Sequence, residues 1–99
     1  MTPAEFKRSL AHAQPPGGLS PALVALWWAG KDDWDTAHNL VMDESGADCA
    51  WIHAYPHRVE GDLDNARYWY RQAGRDAAKG ELAQEWAAIA ATLLGLGER

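Results

Sequence analysis

The sequence predicts an all-α fold of five to six helices arranged in antiparallel hairpins, and three observations support this prediction. Apolar side chains recur at helical spacing in several segments, most regularly at Leu82, Trp86, Ile89, Leu93 and Leu96. A Ser or Thr followed by Pro, a typical helix start, precedes two of these segments. Residues 25–41 also align weakly but without gaps on residues 54–70, as expected for stacked helical hairpins.

The first helix is predicted from the capping box Thr-Pro-Ala-Glu at residues 2–5. An apolar stripe follows at Phe6, Leu10 and Ala13. The Pro-Pro-Gly-Gly sequence of residues 15–18 then ends the helix. We therefore expect a single domain, with an N-terminal helix and linker over residues 1–19 and a body over residues 20–99. That body comprises helical hairpins and a C-terminal capping helix.

Two helices are predicted next. Ser20 should cap the second helix, whose residues 23–29 are apolar on all sides and therefore indicate a helix packed between others. The turn at residues 30–33 supplies Asp32 or Asp33 as the cap of a third helix. His38 lies on the apolar face of this helix, which the Glu-Ser-Gly sequence at residues 44–46 should end.

The remaining three helices follow from similar patterns. The fourth helix should cover about residues 48–60, with Pro56 either kinking it or splitting it after Tyr55. Asp62 should cap the fifth helix. Its predicted buried stripe consists of Leu63, Ala66, Tyr70 and Ala73. Glu81 opens the last helix, which has the most regular amphipathic pattern.

Charge and composition argue against several classes of protein. The net charge of −5 and the pI near 5.2 argue against nucleic-acid binding, which needs an excess of Lys and Arg. No apolar run is long enough to span a membrane, and the N-terminus lacks the apolar centre of a signal peptide. The single cysteine, Cys49, excludes an internal disulfide and suits a reducing compartment. We therefore expect a cytoplasmic protein that binds neither nucleic acid nor membranes.

The segment G-D-x-x-x-A-x-x-x-Y-x-x-A at residues 61–73 is similar to the turn and second helix of a tetratricopeptide repeat. Ala54 matches the small residue of that repeat's first helix. The chain departs from the family because the repeat offset is shorter, no Pro closes the unit, and His53 and His57 replace apolar and aromatic residues. The resemblance implies a short tetratricopeptide-like array, and it supports hairpin packing more than a peptide-binding groove.

A longer string, W-I-H-A-Y-x-H-R-x-E-G-D-x-x-N-A-x-Y-W-Y-R-x-A-G at residues 51–74, resembles a family of small uncharacterised bacterial and fungal proteins. This resemblance implies a shared fold and the importance of the string. It implies no activity.

Three side chains at helical spacing, His53, His57 and Glu60, form the first candidate site. Two imidazoles one turn apart can bind one transition metal such as zinc, with Glu60 and His38 as further ligands. The same groups suit general acid–base catalysis, so a small metal-dependent or acid–base enzyme is the alternative function. The more ordinary interpretation is that the histidines are core residues and that Glu60 forms an ion pair with Arg58 or Arg67. Because no established metal motif is present, we expect no cofactor.

The fifth helix supplies the second candidate site, a binding face of cationic and aromatic side chains: Arg67, Tyr68, Trp69, Arg71 and Arg75. These residue types suit an anionic peptide, a phosphate or an acidic protein, although a charge run more often means only a solvated face. The leading prediction is therefore a protein- or peptide-binding or scaffolding module. Adjacent aromatic residues such as Trp27 and Trp28 cannot all enter one core, so we also consider a homodimer that covers the exposed rings.

Overall fold

A computed structural model describes residues 1–42, 44 and 46–97, and these residues form helices joined by short connections. The α-helices are α1 (Pro3–Arg8), α2 (Pro21–Gly30), α3 (Trp34–Met42), α4 (Ala47–Val59), α5 (Leu63–Ala73) and α6 (Leu82–Gly97). A 3-10 turn, Ser9–Ala11, follows α1, and the described part of the chain contains no strand. The all-α prediction is confirmed.

Capping side chains fix where four of the helices begin. The side-chain oxygens of Thr2, Ser20, Asp33 and Asp62 each accept a hydrogen bond from the backbone N–H three residues further along the chain. Each such bond satisfies one of the free donors at a helix N-terminus and contributes about 1 kcal/mol. Asp33, and not Asp32, therefore caps α3.

The helices pack as two hairpins, with α1 and α6 in contact with each other. Helices α2 and α3 form one hairpin, and α4 and α5 form the other. Helix α4 also packs against both helices of the first hairpin, which places it at the centre of the molecule. Helix α6 packs against α1, α2 and α4. It therefore covers one side of the two hairpins and does not stack on α5 as the first helix of a further hairpin would. The tetratricopeptide-like array remains a prediction.

Aromatic side chains join the two chain ends to the core. The ring of Phe6 stacks on that of Trp86, with centroids 5.4 Å apart. The indole N–H of Trp86 donates to the carbonyl oxygen of Leu26 at 2.8 Å, and that of Trp27 donates to the hydroxyl of Ser9 at 3.0 Å. These two buried indole N–H groups thus have partners, which avoids the penalty of an unsatisfied donor.

Helix α4 is one continuous helix despite Pro56. The proline lies in the last turns of the helix, where its missing N–H removes a single bond near the C-terminus. The helix still closes normally, because the N–H of Glu60 donates to the carbonyl of Pro56. Pro56 therefore does not split α4 after Tyr55.

Some positions of the predicted apolar stripes were wrong. Ala13 is exposed because α1 ends at Arg8 and the following 3-10 turn loses the helical spacing. Leu63 is 52% exposed, since it is the first residue of α5 and extends beyond the packed part of the hairpin. The side chain of Leu96 and the predicted helix breaker Ser45 lie outside the described residues.

Gly30 provides a test of the packing between α2 and α6. A Cβ atom at this position would lie 2.9 Å from Cζ2 of Trp86 and 3.1 Å from Cδ1 of Leu10. We expect Gly30→Ala to lower the free energy of unfolding by about 1–3 kcal/mol, the usual effect of overpacking. Urea denaturation measures the change.

Gly95 is the matched control, because a Cβ atom there meets nothing within 4 Å and the residue lies inside α6. We expect Gly95→Ala to raise stability by roughly 0.5–1 kcal/mol through helix propensity. Equal effects of the two substitutions would contradict the close contact between Gly30 and Trp86.

Candidate functional site

Helices α3 and α4 bring three histidines together inside the helical packing. The ring centroids of His38 and His53 are 4.6 Å apart, those of His53 and His57 are 5.4 Å apart, and those of His38 and His57 are 6.5 Å apart. The predicted proximity of His38 to the two histidines of α4 is therefore present. We call these three residues the histidine cluster.

His53 is the most enclosed member of the cluster, with only 7% of the residue exposed. Its ring stacks on the indole of Trp69 from α5, at 3.8 Å between centroids and 8° between planes. Burial, followed by the charges of His38 and His57, lowers the pKa of His53 from 6.5 to about 4. At neutral pH His53 is therefore an uncharged ring packed in the interior.

Glu60 lies at the edge of the histidine cluster. Its side chain is 62% exposed, and its Oε2 atom is 3.9 Å from Nδ1 of His57. That Nδ1 atom is buried and has no hydrogen-bond partner among the described residues. The expected pairing of Glu60 with Arg58 or Arg67 is wrong, because those two cations pair with Glu85 and Asp64 respectively.

The geometry of the histidine cluster does not suit a metal ion. Within residues 1–42, 44 and 46–97, no group of three or more His, Cys, Asp or Glu side chains could hold one. The rings of His53 and His57 are nearly parallel, at 14°, so the lone pairs in their planes do not converge on one point. The acid–base role suggested for His53, His57 and Glu60 remains a prediction.

Cys49 adjoins the histidine cluster through a cavity of about 260 Å³ that His53 and Trp69 also line. Burial, together with the negative charges of Glu44 and Asp48, raises the pKa of the thiol. A thiol with a raised pKa stays protonated and is a poor nucleophile. Cys49 therefore acts as a small apolar side chain.

A second polar cluster lies on another side of α4, and the sequence did not reveal it. The carboxylate of Glu85, on α6, is 5% exposed and is 2.8 Å from Nη1 of Arg58 on α4. The hydroxyl of Tyr70, on α5, donates to the same carboxylate, and the Arg58 guanidinium also donates to the carbonyl of Gly80. We call Arg58, Tyr70 and Glu85 the buried ionic network. It joins three helices and the connection before α6.

Electrostatics at the buried ionic network favour a neutral Tyr70. Burial, the hydrogen bond to Glu85 and the negative charge of that carboxylate raise the pKa of Tyr70. The tyrosine thus keeps the proton that it donates to Glu85. A buried charge with a cationic partner and a hydrogen-bond donor is satisfied, so this network is suited to positioning helices.

An open cleft of about 550 Å³ lies beside the buried ionic network, between the connection after α5 and the first turns of α6. Its lining residues include Trp51, Arg75, Lys79, Gln84 and Glu85, and we call it the Arg75 cleft. The guanidinium carbon of Arg75 lies 3.6 Å from the centroid of the Trp51 ring, a close cation–π contact. No ion pair within the described residues includes Arg75 or Lys79. Their charges are therefore available to a ligand.

The predicted binding face on α5 is divided between different surfaces. Because successive residues of a helix are about 100° apart, Trp69 and Arg71 lie on flanks separated by about 160°. Trp69 faces His53, whereas Arg71 is exposed on the other flank. Arg67 is also exposed and pairs with Asp64 at 2.6 Å.

The aromatic part of that face is only partly available. Tyr68 is 46% exposed and contacts the edge of Trp69, with centroids 5.1 Å apart. Trp69 itself is half-buried. Of the five predicted residues, only Arg75 lies in the Arg75 cleft, where it joins residues that were not part of the predicted face.

Comparisons with protein-family models, curated proteins and solved structures found no significant match to this chain. The resemblance to a family of small bacterial and fungal proteins therefore remains a prediction. No helix in the described part of the chain has both the length and the apolar character needed to cross a membrane.

The residues that the sequence analysis missed could have been found in part. Glu85 lies between Leu82 and Trp86 on the apolar side of α6, and an acid on an apolar stripe indicates a buried partner. Its partner Arg58 is 27 residues away in the sequence, so only the packing of α6 on α4 identifies the pair.

The buried ionic network generates a stability prediction. Arg58→Met leaves the Glu85 carboxylate buried without its counter-charge, so we expect the free energy of unfolding to fall by about 3–5 kcal/mol. The double variant Arg58→Met with Glu85→Leu should recover much of that loss, because it removes both charges. Urea denaturation at neutral pH measures both changes.

The exposed pair of Arg67 and Asp64 provides the control for this prediction. Arg67→Met should change stability by no more than about 1 kcal/mol, because exposed ion pairs contribute little. If Arg58→Met lowered the free energy of unfolding as little as Arg67→Met, the network would not be buried in solution.

The histidine cluster predicts a pH dependence of stability. His53 binds a proton near pH 6.5 in the unfolded chain but only near pH 4 in the folded protein. The unfolded state therefore takes up the extra proton as the pH falls, and stability decreases from pH 6.5 toward pH 4. The slope due to His53 should be small at pH 7 and largest between about pH 6 and pH 4.5, where it approaches about 1.4 kcal/mol per pH unit.

Chemical denaturation at several pH values measures this slope. His53→Phe should reduce it, because the aromatic stack is retained without the titrating nitrogen. His12→Gln, which changes an exposed histidine outside the cluster, should leave most of the slope unchanged. Identical slopes for the wild type and His53→Phe would show that His53 is not the group responsible.

Proposed function

We propose that this protein is a peptide-binding module that accepts an acidic segment of a partner protein in the Arg75 cleft. The observation that carries the proposal is the position of the Arg75 guanidinium on the Trp51 ring, 3.6 Å away, without an ion-pair partner among the described residues. Lys79 lines the same cleft and adds a second cation.

The stacking of Arg75 favours binding because it restricts the side chain before a ligand arrives. A guanidinium that lies flat on an indole keeps its N–H donors at the edge, where they can form paired hydrogen bonds with a carboxylate. Restricting the side chain in advance lowers the entropy lost on binding. Trp51 is only 7% exposed and packs in the core, so the ring on which Arg75 lies is held rigidly.

The buried ionic network leaves the cleft with a local excess of positive charge. Glu85 lines the cleft, but its charge is balanced by Arg58. Asp76 also lines the cleft, so Arg75 and Lys79 outnumber the one remaining acid. The net charge of the whole chain is −5, but charges more than about 8 Å away are screened at physiological ionic strength. Attraction to an acidic segment is therefore short-range.

The size of the cleft suits one or two side chains of a peptide. Its volume of about 550 Å³ lies within the range of pockets that hold small ligands or single anchor groups. Exposed Arg71 lies about one turn before Gly74, which lines the cleft, and extends the cationic surface along α5. A peptide with two or more Asp or Glu residues complements this arrangement.

The alternative function, acid–base or metal-dependent chemistry at His53, His57 and Glu60, has less support. The cavity beside His53 does not include His57 or Glu60 among its lining residues. The homodimer that was considered from the aromatic content also remains a prediction.

Selection from a random peptide library on the immobilised protein tests the proposed function. We expect the selected peptides to be enriched in Asp and Glu and their affinity to fall at higher salt. Arg75→Gln should lower the affinity for the tightest-binding peptide by about 10- to 100-fold, because it removes a charge-assisted contact. Isothermal titration calorimetry measures the affinities.

Arg67→Gln is the matched control, since Arg67 is exposed on the same helix, already pairs with Asp64 and does not line the cleft. Its affinity for the selected peptide should stay within about twofold of wild type. Selected peptides without acidic enrichment, or equal losses in the two variants, would refute binding at the Arg75 cleft.

A further inference from the structure

A second concave surface lies on the other side of α6. It has a volume of about 320 Å³ and forms where α1, the turn between α2 and α3, α4 and α6 meet. Its walls include Leu10, Trp34, Tyr55, Val59, Leu82 and Trp86, and we call it the Trp86 groove. Residues 82, 83, 86 and 87 of α6 line this groove, whereas residues 84, 85 and 88 line the Arg75 cleft. The two sites therefore share no lining residue of α6.

Small residues keep the Trp86 groove open. The lining includes Ala29, Gly30, Ala83 and Ala87. Because Gly30 has no Cβ atom, the Trp86 indole lies directly against the end of α2, with 2.9 Å to the place where a Cβ would be. Larger side chains at these positions would fill the space or displace the indole.

The aromatic walls present apolar surfaces to the groove. The N–H of Trp86 donates to the carbonyl of Leu26, and the hydroxyl of Tyr55 donates to the carbonyl of Leu82 at 3.2 Å. The polar atoms of both rings thus have partners within the protein. Tyr55 and Trp86 are only 5% and 7% exposed, and Phe6 stacks on the Trp86 ring, so each contributes a small carbon surface to the groove. A flat aromatic group suits such walls, because aromatic rings pack well by offset stacking or edge contact.

Two charged residues of opposite sign line the otherwise uncharged groove, Lys7 from α1 and Asp32 from the turn. Neither belongs to an ion pair among the described residues. Asp32 has a φ of 62° and is held at the end of α2 by a backbone bond from its N–H to the carbonyl of Ala29. The negative charge of Asp32 is also near Tyr55: burial, Glu85 and then Asp32 raise the pKa of that tyrosine.

We infer that the Trp86 groove is a binding site for a small zwitterion with an aromatic side chain, of the kind represented by an aromatic α-amino acid. The aromatic ring lies against Trp34, Tyr55 and Trp86. The ligand carboxylate pairs with Lys7, and its ammonium group pairs with Asp32. A ligand with one charge would meet one attractive and one repulsive partner, whereas a zwitterion complements both.

The size of the groove limits the ligand to a small molecule. About 320 Å³ is at the lower end of the range for small-molecule pockets and leaves no room for a folded segment of a partner. The inference is independent of the proposed peptide binding, because none of Arg75, Lys79 and Trp51 lines the Trp86 groove.

Three matched probes test the inference by isothermal titration calorimetry: L-phenylalanine, 2-phenylethylamine, which lacks the carboxylate, and 3-phenylpropionate, which lacks the amine. We expect L-phenylalanine to bind with a Kd below about 1 mM and each analogue to bind at least about fivefold more weakly. Lys7→Gln should remove the advantage of L-phenylalanine over 2-phenylethylamine. Asp32→Asn should remove its advantage over 3-phenylpropionate, and Asn tolerates the same positive φ.

Ala83→Leu is the variant that fills the groove, and it should abolish binding of all three probes. Ala83 is exposed on the first turn of α6, so the substitution is compatible with folding, and a thermal melt checks this. Arg75→Gln should leave L-phenylalanine binding unchanged, which separates this site from the Arg75 cleft. The inference is overturned if L-phenylalanine shows no saturable binding, if all three probes bind equally, or if Ala83→Leu binds like wild type.

Discussion

The buried carboxylate of Glu85 is the constraint on which the arrangement of the other helices depends. A charge in this position is tolerated only with a cation and a donor beside it, and these come from α4 and α5. Arg58 also contacts the carbonyl of Gly80, so the same network fixes the connection that leads into α6. The directional bonds to Glu85 act together with the hydrogen bond from Trp86 to Leu26 and the close contact of Trp86 with Gly30. These contacts hold α6 in one register on α4 and α2.

Once α6 is fixed, its two flanks have different chemical characters. One flank faces the Arg75 cleft, where cations and a supported indole surround an open space. The other flank faces the Trp86 groove, which is aromatic apart from Lys7 and Asp32. The boundary is the row of α6 residues that enter the core, because Ile89 and Ala90 are almost completely buried. A small domain thus obtains two separate concave surfaces from a single helix.

The sequence predicted what depends on local interactions and missed what depends on distant ones. Helix starts at Thr2, Ser20 and Asp62 were correct because each cap involves residues three positions apart. The fold class followed from apolar spacing for the same reason. The pairing of Arg58 with Glu85 joins residues 27 positions apart and has no local pattern, so Arg58 was assigned to the wrong acid. The cationic stripe on α5 was identified, but the αL residue Gly74 and the contact with Trp51 single out Arg75 from the others.

The bond from Trp86 to Leu26 spans 60 residues of sequence, whereas both hairpins involve near neighbours along the chain. Contacts between near neighbours form at a small entropic cost, and a contact across most of the chain must wait for them. The packing of α1 and α6 therefore depends on hairpins that form from near neighbours along the chain. The α4–α5 hairpin thus needs only its own neighbours along the chain, whereas closing the fold requires its first and last helices to meet.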